Sequence, residues 1–158
     1  RDEGPVLKEG ERHTLKVVRA WRSIVGAPME KDGVFTLIAG AADHTCPDPM
    51  RWKLTPPKAG TRDVLRVVFD EPLDPAMLVS ALTVHRGKTR LDGAIQVAPD
   101  ARSWSFTPNG DWPRGSFTLE IDPLLEDLAG NNLQHPFEVD REQPVQHERA
   151  TSLAFDVK

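Results

Sequence analysis

The sequence predicts an all-β protein built from antiparallel sheets. Short runs with apolar residues at every second position recur along the chain, as in Leu65-Arg-Val-Val-Phe69, and this alternation is typical of strands with one buried and one solvated face. Fourteen prolines and eleven glycines are spread over the 158 residues and interrupt these runs. Turn dipeptides such as Asn109-Gly110 lie between them. We therefore expect many short strands, joined by turns, in a sandwich of two sheets.

Each run that alternates in this way is a predicted strand. The runs are Thr14–Val18, Val34–Ile38, Val64–Phe69, Leu82–Val84, Ala94–Val97, Ser103–Thr107, Ser116–Ile121, Pro136–Val139 and Thr151–Val157. Helical signals are rare. Asp74–Ala81 has a capping aspartate, a proline at the first helical position and apolar residues at helical spacing, which predicts one or two turns crossing between the sheets. Trp21–Ile24 is compatible with a single turn.

A weak internal repeat organises the chain. Thr14-Leu-Lys-Val17 aligns with Thr118-Leu-Glu-Ile121, and at the same offset Gly26 aligns with Gly130. A few residues later, Phe35-Thr-Leu37 matches Phe137-Glu-Val139. The first copy then corresponds to the closing part of a sandwich whose early strands lie outside this chain or are replaced by another element. Because unpaired sheet edges are a liability, we expect residues 151–157 to supply a strand to this incomplete first sheet.

The repeat suggests four parts. Residues 1–42 are the C-terminal part of one β unit, residues 43–50 are a proline-rich linker, residues 51–140 are a complete sandwich, and residues 141–158 are a tail with one strand. The chain starts at Arg1 and shows no signal peptide, which is the expectation for a processed protein or a piece of a longer one.

Charge and composition exclude several classes of partner. A formal net charge of −4 provides no basic surface for nucleic acid or for anionic lipid. No apolar run approaches the roughly 20 residues that a membrane-spanning helix needs, so we expect no membrane insertion. Cys46 is the only cysteine, which rules out an internal disulfide and any cysteine-based metal knuckle.

A family resemblance adds to this reading. Five segments carry it: Thr55-Pro-Pro-Lys-Ala-Gly60, Leu65-Arg-Val-Val-Phe-Asp-Glu-Pro-Leu-Asp74, Trp104-Ser-Phe-Thr-Pro108, Gly115-Ser-Phe-Thr-Leu119 and Asp127-Leu-Ala-Gly-Asn-Asn-Leu133. In their order and spacing, residues 54–140 resemble the bacterial Ig-like domains first recognised in S-layer proteins. Residues 10–40 resemble only the closing half of such a domain, and they depart from its pattern at Ser23 and Ala27, which stand where Asp127 and Asn131 do.

The resemblance implies an immunoglobulin-like β-sandwich, with a partial second Ig-like unit. It further implies a non-catalytic structural or adhesive spacer in a larger exported bacterial protein, secreted, periplasmic or at the cell surface. The expected partners are other domains of that protein and a protein or carbohydrate ligand. A looser similarity to periplasmic copper-carrying sandwiches keeps open a second interpretation, a ligand-binding module for a sugar or for a metal ion such as calcium or copper.

The turn at Asp127 to Asn131 is the predicted structural feature of the complete module. Gly130 can adopt a positive φ, Asn131 tolerates the left-handed region, and the carboxylate of Asp127 can accept backbone N–H bonds. Calcium is the rival interpretation, since Asp122 and Glu126 would add hard oxygen donors to those of Asp127 and Asn131.

Other candidate chemistry is weaker. The carboxylate pairs Asp70/Glu71, Glu126/Asp127 and Asp140/Glu142 flank turns, where exposed acids are ordinary. His44 and Cys46 form the only close pair of soft ligands. Trp52, Trp104 and Trp112 either cover the core or stack on sugar rings, and we favour the core. We therefore expect no catalytic residue, no cofactor and no metal site.

Overall fold

The computed structural model describes residues 7–137 and 151–158, and the chain divides into unit 1 (Arg1–Asp43) and unit 2 (His44–Lys158). All strand pairs in the described residues are antiparallel. The only helical segments there are two short 3₁₀ turns, Pro49–Arg51 and Met77–Val79. The predicted all-β class is thus confirmed. The longer helical segment expected at Asp74–Ala81 is reduced to the second of these turns.

The described residues contain ten strands. They are β1 Arg12–Val17, β2 Gly33–Ile38, β3 Lys53–Thr55, β4 Leu65–Val68, β5 Leu82–Arg86, β6 Thr89–Arg90, β7 Gly93–Val97, β8 Ser103–Pro108, β9 Gly115–Ile121 and β10 Ser152–Val157. In unit 2 they form two four-stranded sheets, ordered β10-β9-β5-β6 and β3-β4-β8-β7. In unit 1, β1 and β2 form a two-stranded sheet.

The two sheets of unit 2 share one apolar core, an arrangement consistent with a β-sandwich. Alternation along the strands decides which side chains enter it. In β8, Trp104 and Phe106 are buried while the serines beside them are only partly covered. In β9, Phe117, Leu119 and Ile121 are buried by the same two-residue period. The alternation that predicted these strands therefore also predicted their inward faces.

Trp112 lies at the centre of an aromatic cluster in this core. Its ring centroid is 5.9 Å from that of Phe106, 5.3 Å from that of Phe117 and 6.2 Å from that of Phe155, each in an edge-to-face arrangement. The indole Nε1 donates a hydrogen bond of 2.7 Å to the carbonyl oxygen of Asp63, so the buried polar group is satisfied. Trp52 and Trp104 are also buried, which places all three tryptophans in the core rather than on a sugar-stacking surface.

The prediction that residues 151–157 complete the first sheet is wrong. β10 pairs with β9 along its whole length, from Ser152 opposite Glu120 to Val157 opposite Gly115. Phe155 and Val157 are buried in the core of unit 2. The reason is that the inner face of β9 is strongly apolar and continues across β10. Burial of the inward side chains of both strands in the core therefore stabilises their pairing. The sandwich is consequently not complete in residues 51–140, because its edge strand lies beyond them.

The predicted linker at 43–50 also has a different role. Residues from His44 onward belong to unit 2, where Cys46, Pro47 and Pro49 are buried. Asp48 caps the first 3₁₀ turn, since its carboxylate accepts the backbone N–H of Met50 at 3.1 Å. A proline-rich composition suits a stiff linker, but here the same rings are covered by the sandwich.

Unit 1 is a hairpin in which β1 and β2 pair with Leu15 opposite Phe35. Near its turn end, the backbone N–H of Arg19 donates to Asp32 at 2.7 Å, and the ammonium group of Lys16 lies 3.0 Å from the same carboxylate. These two contacts, the backbone hydrogen bond first, lower the pKa of Asp32 from its ordinary value. Residues 138 and 139 of the predicted strand Pro136–Val139 lie outside the described residues, and Phe137 is exposed in a turn.

Truncation of Phe155 tests the placement of β10. We expect Phe155→Ala to lower the free energy of unfolding of unit 2 by about 3–4 kcal/mol, because the change opens a cavity beside Trp112 and Phe117. Ala154→Ser, on the exposed face of the same strand, should leave it within about 0.5 kcal/mol. Urea unfolding followed by tryptophan fluorescence measures both values. Equal midpoints for the two variants would contradict the pairing of β10 with β9.

Candidate functional site

The most constrained polar feature of unit 2 is the turn from Asp127 to Asn131, called the closing turn below. Oδ1 of Asp127 accepts the backbone N–H groups of Ala129 at 2.7 Å and of Asn131 at 2.9 Å. Oδ2 accepts the side-chain amide of Asn131 at 2.8 Å. Gly130 has a φ of +88°, a backbone conformation that would be strained in a residue with a side chain. Asp127 is 5% exposed and Asn131 is 0% exposed, so these bonds are shielded from water.

The closing turn connects three parts of unit 2. The side-chain oxygen of Asn131 accepts the backbone N–H of Phe137 at 2.8 Å, which holds the chain after the turn. Leu73 forms an isolated antiparallel bridge with Asp127, and the backbone N–H of Asp74 donates to Glu126 at 2.8 Å. The turn thus joins the segment that follows β4 to the segment that follows β9. Through these contacts the closing turn is bonded to the segments on either side of it.

The acidic residues that are adjacent in the sequence have different neighbours in the structure. Asp70 forms an ion pair of 3.0 Å with Arg51, whereas a carboxylate oxygen of its neighbour Glu71 lies within 4.8 Å of one of Asp127. The sequence could not indicate this proximity, because the two acids are on different segments. Asp122 uses Oδ1 to accept the backbone N–H of Leu124 at 2.9 Å. Two adjacent carboxylates provide hard oxygen ligands that suit calcium. The two carboxylate oxygens of Asp127, however, already accept three hydrogen bonds.

The remaining predicted acidic pair, Asp140/Glu142, lies outside the described residues. So does His147.

His85 and His44 lie in different surroundings. His85 contacts Glu120, with Nε2 and Oε2 3.2 Å apart, and its Nε2 is also 3.0 Å from the hydroxyl of Thr83. His44 is exposed, whereas Cys46, two residues away, is buried. Within the part of the chain that the structure describes, no group of three or more metal-ligating side chains includes a histidine or a cysteine.

Unit 2 contains a cleft of about 380 Å³. Its wall includes Leu91 and Phe117, and its rim carries Arg86, Asp92 and Asp111. The guanidinium carbon of Arg86 is 5.9 Å from the centre of the Phe117 ring, and Nη2 donates to the carbonyl oxygen of Arg114 at 3.2 Å. An apolar wall with a charged rim can accept a small polar molecule such as one sugar ring. Sequence reasoning missed this cleft because its residues come from different strands and from the loops between them.

The comparisons with known proteins give no relatives. The chain matches no protein-family model, no curated protein and no solved structure. Across residues 7–137 and 151–158, no helix has both the length and the apolar character that crossing a lipid bilayer requires. The function must therefore be argued from the geometry of the chain itself.

Removal of the Asp127 carboxylate tests the closing turn. We expect Asp127→Ala to cost roughly 3 kcal/mol of unfolding free energy, because it leaves two backbone N–H groups and the Asn131 amide without their acceptor. Asp127→Asn should cost less, since only Oδ2 is replaced by a group that faces another amide donor. Asp111→Ala, which removes an exposed carboxylate, is the control and should be nearly neutral. Chemical denaturation gives the three values. A neutral Asp127→Ala would show that the turn is not a structural determinant.

Proposed function

We propose that unit 2 is an immunoglobulin-like, non-catalytic module that acts as a structural or adhesive spacer in a larger exported bacterial protein. The supporting observation is the position of the residues that carry the family resemblance. Trp104, Phe106, Phe117 and Leu119 fill the core, and Asp127 bonds within the closing turn. Buried motif residues of this kind maintain a fold, which is what a spacer requires.

The turn glycines of the resembling segments support the same proposal. Gly60 has a φ of +72°, Gly115 of +137° and Gly130 of +88°. Each position needs a backbone conformation that residues with side chains rarely adopt, so each glycine has a conformational reason to be there. Export to the periplasm, the cell surface or the medium is part of the proposal and rests on the resemblance. The partners we propose are the neighbouring domains of the same longer protein.

A ligand-binding module is the second candidate. The cleft between Arg86 and Asp111 favours a small polar ligand such as a saccharide, and the proximity of Glu71 to Asp127 favours calcium. Both features are compatible with a spacer that also binds a ligand. A binding measurement therefore separates the two candidates.

Thermal unfolding in the presence of ligands is that measurement. We expect calcium, copper, zinc and a panel of mono- and oligosaccharides to leave the melting temperature of the chain unchanged. A ligand at 100 times its Kd would stabilise the folded state by about 2.7 kcal/mol, which corresponds to a shift of several degrees. Asp111→Asn and Arg86→Ala serve as matched variants for the cleft, and Glu71→Gln serves for the acidic pair. A saturable shift that one of these variants abolishes would replace the spacer proposal with the ligand-binding one.

A further inference from the structure

The closing turn of unit 2 has a hydrogen-bonded counterpart in unit 1. The backbone N–H of Asp127 donates to the carbonyl oxygen of Asn131 at 2.9 Å, and that of Ser23 donates to Ala27 at 2.8 Å. The side chain of Asp127 accepts the N–H of Asn131 at 2.9 Å, and the hydroxyl of Ser23 accepts the N–H of Ala27 at 3.2 Å. The two turns therefore share their backbone and side-chain bonding, although unit 1 has a serine in place of the aspartate.

The surroundings of the two turns also correspond. Gly26 and Gly130 occupy the same place in their turns, with φ values of +81° and +88°. An isolated antiparallel bridge flanks each turn, between Arg22 and Pro28 in unit 1 and between Glu126 and Asn132 in unit 2. The repeat that the sequence indicated is therefore a repeat of backbone geometry.

The strands that precede the turns have equivalent partners. β1 aligns with β9 at the same offset as the turns, and Leu15 of β1 corresponds to Leu119 of β9. Leu15 lies opposite Phe35 of β2, and Leu119 lies opposite Leu153 of β10. By strand pairing, β2 is thus the counterpart of β10. The sequence alignment had instead matched Phe35–Leu37 with Phe137–Val139.

The equivalent faces of the two hairpins differ in what covers them. In unit 2 this face is buried against the β3-β4-β8-β7 sheet, and Leu119 is 0% and Phe155 7% exposed. In unit 1 the same face exposes 54% of Leu15 and 56% of Phe35. The side chains of this face are His13, Leu15, Val17, Phe35 and Leu37. A two-stranded hairpin is at best marginally stable in water, so an apolar face of this kind needs a cover.

We propose that the apolar face of β1 and β2 docks against a β-sheet equivalent to the β3-β4-β8-β7 sheet, supplied in the natural protein by sequence ahead of residue 1. The position follows from the repeat, because all four strands of the covering sheet precede β9 in unit 2. The opposite face of the hairpin mixes polar and apolar residues, Arg12, Thr14, Lys16 and Thr36 beside Val34 and Ile38. The inference does not depend on the spacer role, since a sandwich in an enzyme would close in the same way.

Hydrogen exchange measured by mass spectrometry tests this inference on two proteins, the 158-residue chain and the natural protein in full length. We expect the amides of β1 and β2 to exchange rapidly in the 158-residue chain, while those of β9 stay protected. In the full-length protein the hairpin amides should exchange more slowly, by roughly 100-fold, because the covering sheet must open first. Leu15→Asp should abolish that protection, whereas Thr14→Asp on the opposite face should preserve it.

Three results would overturn the inference. The first is a hairpin that is already protected in the 158-residue chain, since its face would then need no further sheet. The second is a hairpin that stays unprotected in the full-length protein. The third is protection that rises with protein concentration and is accompanied by a dimer in analytical ultracentrifugation, which would make a second copy of the chain the occupant of the face.

Discussion

The fold of unit 2 depends on the contact between the last strand and the aromatic core. Phe155 of β10 stacks on Phe117 of β9 with ring centroids 5.6 Å apart, and both rings pack against Trp112 in edge-to-face arrangements. Aromatic pairs of this kind contribute about 0.5–1.5 kcal/mol each beyond their buried area. Because β10 comes from the end of the chain, the sandwich closes only when the chain has returned from β9 through the closing turn. The hydrogen bonds of Asp127 and the packing of Phe155 therefore support the same closure.

Local sequence features predicted the parts of the structure that depend on near neighbours. Alternation identified β4, β8 and β9 with their inward faces, and the residues from Asp127 to Asn131 indicated a turn whose bonds span only four positions. Alternation also identified the last strand, β10. Alternation states which face of a strand is buried, but not which strand lies beside it, so the partner of β10 was predicted wrongly. The linker was mistaken for the same reason, because composition does not reveal whether Pro47 and Pro49 meet an apolar surface.

The candidate site shows the same division between local and distant information. The bonds of the closing turn follow from its own residues. The approach of Glu71 to Asp127 and the cleft beside Arg86 depend instead on how separate strands and loops are placed. The repeated hairpins of the two units show the same difference between local and distant information. Leu15 and Leu119 occupy equivalent positions in equivalent hairpins, yet Leu119 is buried and Leu15 is exposed. Among the residues that the structure describes, the hairpin of Leu119 packs against a second sheet of its own unit, whereas unit 1 contains only the sheet of β1 and β2. Thus burial of a strand face is decided by what packs on it.

Nuclear Overhauser contacts between aromatic side chains test the central claim, that β10 closes the core of unit 2, most directly. The account predicts cross-peaks from the ring protons of Phe155 to the indole of Trp112 and to the ring of Phe117 in the 158-residue chain. Cross-peaks from Phe155 to Leu15 or Phe35 would contradict it, because they would place the last strand on the first hairpin. The absence of any contact between Phe155 and Trp112 would contradict it equally.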